Sequence, residues 1–185
     1  MSLTSTRLTA EEYFALPPTE KRTQLIDGEI VVTEASVRHQ RITGEIYFLL
    51  ATWLREHPGH GAATLPLDVH LDDHNVFAPD VVFVVETERP ARDARRLVGP
   101  PSLAIEVRSP ATWRYDVGTK RSTYERHGLA ELWLVDTRAD TVLVYRRSTP
   151  ETATFDVAVE VAAGEPLSTP LNPGLVIDLG ALCDR

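Results

Sequence analysis

Hydrophobic and polar positions follow different periods along the chain, and each period predicts a different kind of element. Between residues 37 and 57 the apolar side chains recur at steps of three and four, which predicts a helix with one face in the core, ended by Pro58-Gly59. Val81–Val85 and Leu103–Val107 are continuous apolar runs rich in β-branched residues. Such runs are typical of strands that are buried on both faces of a sheet.

Turn and capping residues mark the remaining elements. Thr9 and Glu12 have the spacing of a capping box, which predicts a short helix before Pro17-Pro18. Asp27-Gly28 predicts the turn of a β-hairpin. We further predict two strands around a turn at residues 72–75, a helix over residues 115–127, a strand pair joined by residues 138–140, and a last strand followed by an irregular segment.

The order of these elements predicts the fold class. It is α-β-β-α-β-β-β-α-β-β-β, which gives an α/β (α+β) protein with a mixed β-sheet flanked by helices. The chain has 185 residues and shows no internal repeat, low-complexity tract or inter-domain linker. We therefore predict a single domain over residues 1–185.

Two carboxylates stand where an apolar strand residue is expected. Asp80 opens the first buried run and Glu106 interrupts the second. An ionised carboxylate at such a position is costly unless a cation or hydrogen-bond donors compensate its charge. Mg²⁺ commonly binds to one or two carboxylates, waters and substrate phosphate oxygens. The pair predicts a divalent-metal site, and Lys120 on the next helix would add positive charge beside the attacking water or the developing negative charge.

Simpler interpretations of the same residues stay open. Glu106 and Arg108 alternate onto one face of their strand and could pair with each other at an exposed surface. Lys120 could be a solvated helix residue paired with Asp116, four positions earlier. Turn chemistry explains the polar group at residues 70–74, so we predict no metal site there.

The carboxylates and lysine lie within a pattern that resembles a known family. Pro79-Asp80 followed by Glu106-Val107-Arg108 resembles the signature of PD-(D/E)XK nucleases, except that arginine stands where the signature has lysine. More closely, the chain resembles the Uma-family restriction endonucleases over roughly residues 8–150. The matching fragments follow the family's order: QLIDGEIV, RHQRI, APDVVFV, AIEVRSP, YDVGTK, YERHG and ELWLVD.

This resemblance implies a function and assigns roles to residues. It implies a restriction-endonuclease-like core and a divalent-metal-dependent endonuclease that hydrolyses DNA with Mg²⁺ or Mn²⁺. The roles that it implies are metal binding by Asp80, Glu106 and the Val107 carbonyl, replacement of the signature lysine by Lys120, a further acidic group at Glu29, and substrate contacts by His39, Gln40 and Arg108. From the sequence alone, Glu29 is equally a polar residue at a strand start and His39 an exposed helix residue.

Charge and composition narrow the possible partners. The net charge of −8 argues against a protein that coats nucleic acid by bulk electrostatics, although it does not exclude a nuclease. The arginine-rich run at residues 89–96 is either a phosphate-facing loop or a solvated loop.

A single cysteine, Cys183, excludes an intramolecular disulfide and a cysteine-based zinc cluster. We expect a cytoplasmic protein, because no apolar run approaches ~20 residues and no signal-peptide pattern opens the chain.

Two functions of other classes are compatible with the same pattern. One is a nuclease-like fold that binds nucleic acid without cutting it. The other is a protein-interaction module, including a homodimer, in which the carboxylates merely fix the core. Metal binding distinguishes the nuclease from the interaction module, and turnover distinguishes it from the silent binder.

Overall fold

The computed structural model describes residues 7–178 and 180. The helical segments are α1 (Ala10–Ala15), α2 (Val37–Glu56), α3 (Trp113–Tyr115) and α4 (Arg121–Arg126), with a 3₁₀ turn at Glu86–Glu88 and a π-helical turn at Asp116–Lys120. The strands are β1 (Thr23–Ile26), β2 (Glu29–Val32), β3 (Gly61–Thr64), β4 (Asp68–Asp72), β5 (Asn75–Phe77), β6 (Val81–Val85), β7 (Arg96–Val98), β8 (Leu103–Val107), β9 (Glu131–Asp136), β10 (Thr141–Arg146), β11 (Val157–Ala162), β12 (Pro166–Ser168) and β13 (Val176–Asp178).

The larger sheet has six strands in the order β11-β10-β9-β8-β6-β3. Strands β8 and β9 are parallel, and the other neighbours pair antiparallel. Helix α2 covers one face of this sheet, where Ile46 and Leu50 share a core cluster with Phe83, Ile105 and Trp133. Its apolar side chains have the predicted helical period, so the prediction of this helix is confirmed.

The two faces of β8 point to different surroundings. Leu103, Ile105 and Val107 belong to the cluster beneath α2. Ala104 belongs to a second cluster with Tyr124, on the opposite face. The predicted alternation along β8 is therefore confirmed, and it turns Glu106 away from α2.

A second sheet has five strands in the order β2-β1-β5-β4-β7, and β12 pairs with β13 in a separate ribbon. The predicted capping box of Thr9 and Glu12 is present at the start of α1. The hairpin turn has Asp27 at φ 50° and Gly28 at φ 78°, the positive values that a two-residue hairpin turn needs. Mixed sheets flanked by helices confirm the predicted fold class.

Several parts of the chain differ from the prediction, which did not include strands β7, β12 and β13. Residues 61–85 form four strands instead of two, because the chain leaves the second sheet after β5 and enters the larger sheet at β6. The predicted helix at residues 115–127 begins at Trp113 and contains the π-helical turn. Both Asp116 and Lys120 are buried within this turn.

Cys183 lies outside the described residues. In the described part of the chain, every helix is too short or too polar to span a membrane.

The Glu131 carboxylate ties the segment before β13 to the core. It is fully buried at the start of β9 and accepts hydrogen bonds from Trp133 Nε1 at 2.6 Å and from Thr169 Oγ1 at 2.7 Å. Burial raises the pKa of Glu131, and the two hydrogen bonds oppose that rise. The carboxylate is thus an acceptor for two donors from different parts of the chain.

We expect Glu131→Ala to lower the free energy of unfolding by about 2–4 kcal/mol, because two buried donors lose their acceptor. Chemical denaturation measures this loss. Glu160→Ala is the matched control, since Glu160 is exposed on β11 and its loss should change the free energy of unfolding by no more than about 0.5 kcal/mol. Equal losses in the two variants would contradict the anchoring role.

Candidate active site

The backbone of β6 and β8 holds Asp80 next to Val107. Asp80 immediately precedes β6, and its N–H donates to the Ile105 carbonyl at 2.9 Å. The Val107 N–H in turn donates to Asp80 Oδ2 at 2.7 Å. These two bonds fix the carboxylate beside the strand that carries Glu106. Residues separated by 26 positions are thus brought together, as the sequence predicted.

His39 reaches the same carboxylate from the first turn of α2. Ser36 caps this helix end by accepting from the His39 N–H, and His39 Nε2 lies 3.2 Å from Asp80 Oδ2. The imidazole is only 8% exposed, so the alternative of an exposed helix residue is wrong. Burial lowers the His39 pKa, but Asp80, the Val107 carbonyl and Glu106 together outweigh it and raise the pKa overall. The imidazole therefore lies beside Asp80, and all three groups that were predicted to hold the metal favour its protonated form.

Glu106 is held from the opposite side by a buried ammonium group. Lys120 Nζ lies 2.6 Å from Glu106 Oε1 and 3.0 Å from Asp116 Oδ1. Both contacts pair the ammonium with a buried carboxylate. Tyr124 donates its hydroxyl to the same Glu106 oxygen at 3.0 Å. The π-helical turn places Lys120, and α4 places Tyr124, against Glu106, the charged residue of β8.

The electrostatics of this cluster follow from its burial. Burial raises the pKa of Glu106, Lys120 opposes the rise, and Asp116 and Asp80 add to it, so that the resulting pKa is about 7. Burial lowers the Lys120 pKa, but the Asp116 and Glu106 carboxylates outweigh it, so the pKa is raised and the ammonium stays charged. Burial also raises the pKa of Tyr124, which keeps its hydroxyl a neutral donor. Two carboxylates, those of Glu106 and Asp116, thus share one lysine.

A cavity of about 320 Å³ opens beside these carboxylates. The predicted residues that line it are His39, Gln40, Asp80, Glu106 and Val107. Sequence reasoning missed Arg22, Gln24 and Thr43, which line it as well. The Gln24 side chain accepts from the Ala78 N–H at 2.9 Å and so holds the chain just before Asp80.

Three predicted site residues lie elsewhere. Glu29 is exposed at the first position of β2, paired in register with Ile26, and does not line the cavity. Arg108 also does not line it, because its guanidinium lies 2.7 Å from Asp136 and stacks over Trp113. Lys120 lies behind Glu106 rather than in the cavity wall.

The simpler pairings proposed from the sequence are corrected by these contacts. The pairing of Glu106 with Arg108 is wrong, because Glu106 pairs with Lys120 and Arg108 with Asp136. Lys120 does pair with Asp116, but the interpretation as a solvated residue is wrong, because its side chain is 1% exposed.

The other polar clusters serve local structure. None of the four arginines of the 89–96 run lines the cavity. Arg89 pairs with Glu86, and Arg96 stacks over Phe14. At the β4–β5 turn, Asp72 accepts from the His74 N–H and from the Asn75 amide. This is the turn chemistry that the sequence predicted.

The free oxygens of the two carboxylates suit a hard divalent cation. In the described residues, the contacts of Asp80 use Oδ2 and those of Glu106 use Oε1, so Oδ1 and Oε2 are without protein partners. Within residues 7–178 and 180, no three His, Cys, Asp or Glu side chains form a group that could enclose a metal. Mg²⁺ does not need such a cage, since it keeps several waters and binds to one or two carboxylates. The residues present fit that mode of binding.

Comparison with known proteins adds to this geometry. A family model described as "Uma2: Putative restriction endonuclease" matches residues 10–180. The chain belongs to this family. The resemblance carried by the seven sequence fragments is thereby confirmed, and membership of the Uma2 family supports a nuclease.

A solved structure shares the fold of this Uma2 family member. It is described as a putative nuclease belonging to DUF820 from Anabaena variabilis, and the two match with a TM-score of 0.81 at 22% sequence identity. The match covers 96% of this chain and 98% of that chain. Likeness at this identity establishes the common fold. The search of curated proteins found no match for this Uma2 chain.

Proposed function

We propose that this protein is a divalent-metal-dependent endonuclease that hydrolyses DNA phosphodiester bonds. The observation that carries the proposal is the convergence of Asp80 and Glu106, from two adjacent strands, on one cavity with an unused oxygen on each carboxylate. Membership of the Uma2 family supports the same reaction class.

Asp80, Glu106 and the Val107 carbonyl would hold Mg²⁺ or Mn²⁺. Such an ion supplies Lewis acidity toward the phosphoryl oxygen and lowers the pKa of bound water. Two backbone contacts around Asp80 fix its carboxylate before any substrate arrives. That preorganisation is what transition-state stabilisation requires.

Lys120 and His39 act through the two carboxylates. The ammonium of Lys120 favours the ionised form of Glu106, which burial disfavours. His39 lies against Asp80 and presents its second nitrogen, Nδ1, without a partner among the described residues. We assign Lys120 the positioning of Glu106, because its own ammonium does not reach the cavity wall.

We expect cleavage of supercoiled plasmid DNA to require Mg²⁺ or Mn²⁺ and to stop on addition of EDTA. Metal binding should also be visible without turnover, as a rise in the melting temperature of about 5 °C or more when the metal exceeds its Kd a hundredfold. Differential scanning calorimetry of the wild type with and without Mn²⁺ measures this rise. A melting temperature indifferent to Mn²⁺, with cleavage unaffected by EDTA, would contradict the metal dependence.

A further inference from the structure

The charges of the active-site cavity are mismatched with its proposed substrate. The ionisable side chains that line the cavity are Arg22, Glu34, His39, Asp80 and Glu106. A phosphodiester is an anion, and carboxylates repel it unless cations and donors compensate. Lys120 cannot supply this compensation directly, since its side chain is 1% exposed and its ammonium is committed to Glu106 and Asp116. A donor that faces the cavity is therefore needed.

Arg22 is a lining residue with donors to spare. It precedes β1 and donates one hydrogen bond, from Nη2 to the Ala78 carbonyl at 3.3 Å, two residues before Asp80. The guanidinium has five N–H donors in total. It forms no ion pair with any carboxylate of the described residues, although its charge lowers the pKa of Asp68 against the effect of burial. Its cationic edge is available beside the metal-binding carboxylates.

Thr43 supplies a second, independent observation. It lies one turn after His39 on α2, is 3% exposed, and lines the same cavity. Its Oγ1 is buried and has no hydrogen-bond partner in the described part of the chain. A helical threonine usually satisfies its hydroxyl on the carbonyl three or four residues earlier. Because a buried hydroxyl without a partner is costly, its position on the cavity wall points to a bound acceptor.

We propose that Arg22 and Thr43 form a substrate subsite that holds a phosphate of the DNA strand next to the metal-binding carboxylates. Arg22 contributes the positive charge and Thr43 a neutral O–H donor to phosphate oxygens. Gln24 fixes the Ala78 segment on which Arg22 rests. This assignment rests on the proposed nuclease function, and it names the contacts that bind the strand rather than those that cleave it.

Binding of a fluorescein-labelled single-stranded DNA oligonucleotide, in EDTA to prevent cleavage, tests the subsite by fluorescence anisotropy at several salt concentrations. We expect Arg22→Gln to raise the Kd about tenfold and to reduce the salt dependence by about one phosphate contact. Plasmid cleavage by this variant should show a higher KM with kcat nearly unchanged, since the carboxylates are intact.

Two control variants make the comparison specific. Arg55→Gln removes an exposed arginine at the other end of α2, about 24 Å along the helix from His39, and should leave the Kd within about twofold. Thr43→Val should raise the Kd several-fold without lowering the melting temperature, because no protein partner is lost. A structural role of Thr43 would instead lower the melting temperature and leave the Kd unchanged.

The outcomes distinguish a failure of the subsite from a failure of the proposed nuclease function. Wild-type protein that cuts DNA, with Arg22→Gln and Arg55→Gln indistinguishable from each other, overturns the subsite and leaves the nuclease function standing. An unchanged Kd in Thr43→Val removes Thr43 from the subsite and leaves its hydroxyl to an ordered water. Wild-type protein that neither binds the oligonucleotide nor cuts plasmid DNA in Mg²⁺ or Mn²⁺ overturns the proposed function and the subsite with it.

Discussion

Asp80→Asn is expected to abolish DNA cleavage while leaving the fold intact. The amide oxygen of asparagine can still accept from the Val107 N–H, which donates to Asp80 at 2.7 Å, but the side chain loses its charge toward a cation. Because a bound metal supplies several kcal/mol at the transition state, we expect a loss of about a thousandfold or more. Conversion of supercoiled plasmid to nicked and linear forms in Mg²⁺ or Mn²⁺ measures it.

Thermal unfolding with and without Mn²⁺ controls for a folding defect in Asp80→Asn. The variant should melt close to the wild type in EDTA and should lose the stabilisation by Mn²⁺. Asp80→Ala should be equally inactive but less stable, since the Val107 N–H then lacks its acceptor. Cleavage that persists in both variants would assign the activity to another site or to a contaminating nuclease.

Lys120→Met is expected to abolish cleavage and also to destabilise the protein. The substitution keeps most of the volume but leaves Glu106 and Asp116 buried, at side-chain exposures of 4% and 2%, without their cation. Breaking a buried ion pair by removing one partner costs about 3–5 kcal/mol. Without the ammonium the Glu106 pKa, already about 7, should rise further, so the carboxylate is protonated when a metal must bind. Chemical denaturation and the plasmid assay measure the two effects.

A double variant separates stability from catalysis at Lys120. Asp116→Asn combined with Lys120→Met removes one of the two uncompensated carboxylates, so it should recover part of the lost stability without recovering cleavage. Lys21→Ala is the matched control, because its pair with Glu34 is mostly exposed and should contribute less than about 1 kcal/mol. Full activity in Lys120→Met would contradict the role of the ammonium in holding Glu106 ionised.

The elements that the sequence predicted well are those whose burial is visible in a local period. Helix α2 and strands β6 and β8 have unbroken apolar faces or runs, and each formed where the pattern placed it. Strands β7 and β12 were missed because each has three residues, too few for any period to show. The pairing of β7 also depends on a partner far along the chain, since Arg96 lies opposite Asp68.

The candidate site could be predicted in part for a related reason. Asp80 and Glu106 could be identified because a carboxylate in a buried strand is costly and must be compensated. Arg22 and Thr43 carry no such signal, since an arginine before a strand and a threonine in a helix are ordinary. Arg22 reaches Ala78 only because β1 pairs with β5, a contact between residues that no local pattern relates.

The position of Lys120 shows most clearly what could not be predicted from the sequence. The spacing from Asp116 left their pairing open as a simpler alternative, and that pairing is present. Whether the pair was solvated or buried depended on the π-helical turn, which directs both residues inward, and on Glu106 from another element. The resemblance to the family suggested the lysine, and packing decided which group it contacts.

The burial of Lys120 also gives the protein an unusual chemical asymmetry. The chain has two lysines, Lys21 and Lys120, and the ammonium of Lys120 is enclosed by carboxylates while that of Lys21 is mostly exposed. Amine-reactive dyes should therefore discriminate strongly between the two side chains. Lys21 pairs with Glu34, which lines the cavity, and adjoins Arg22, so a fluorophore there would lie close to the cavity. The fold thus provides its own attachment point for a reporter of ligand entry, without an engineered cysteine.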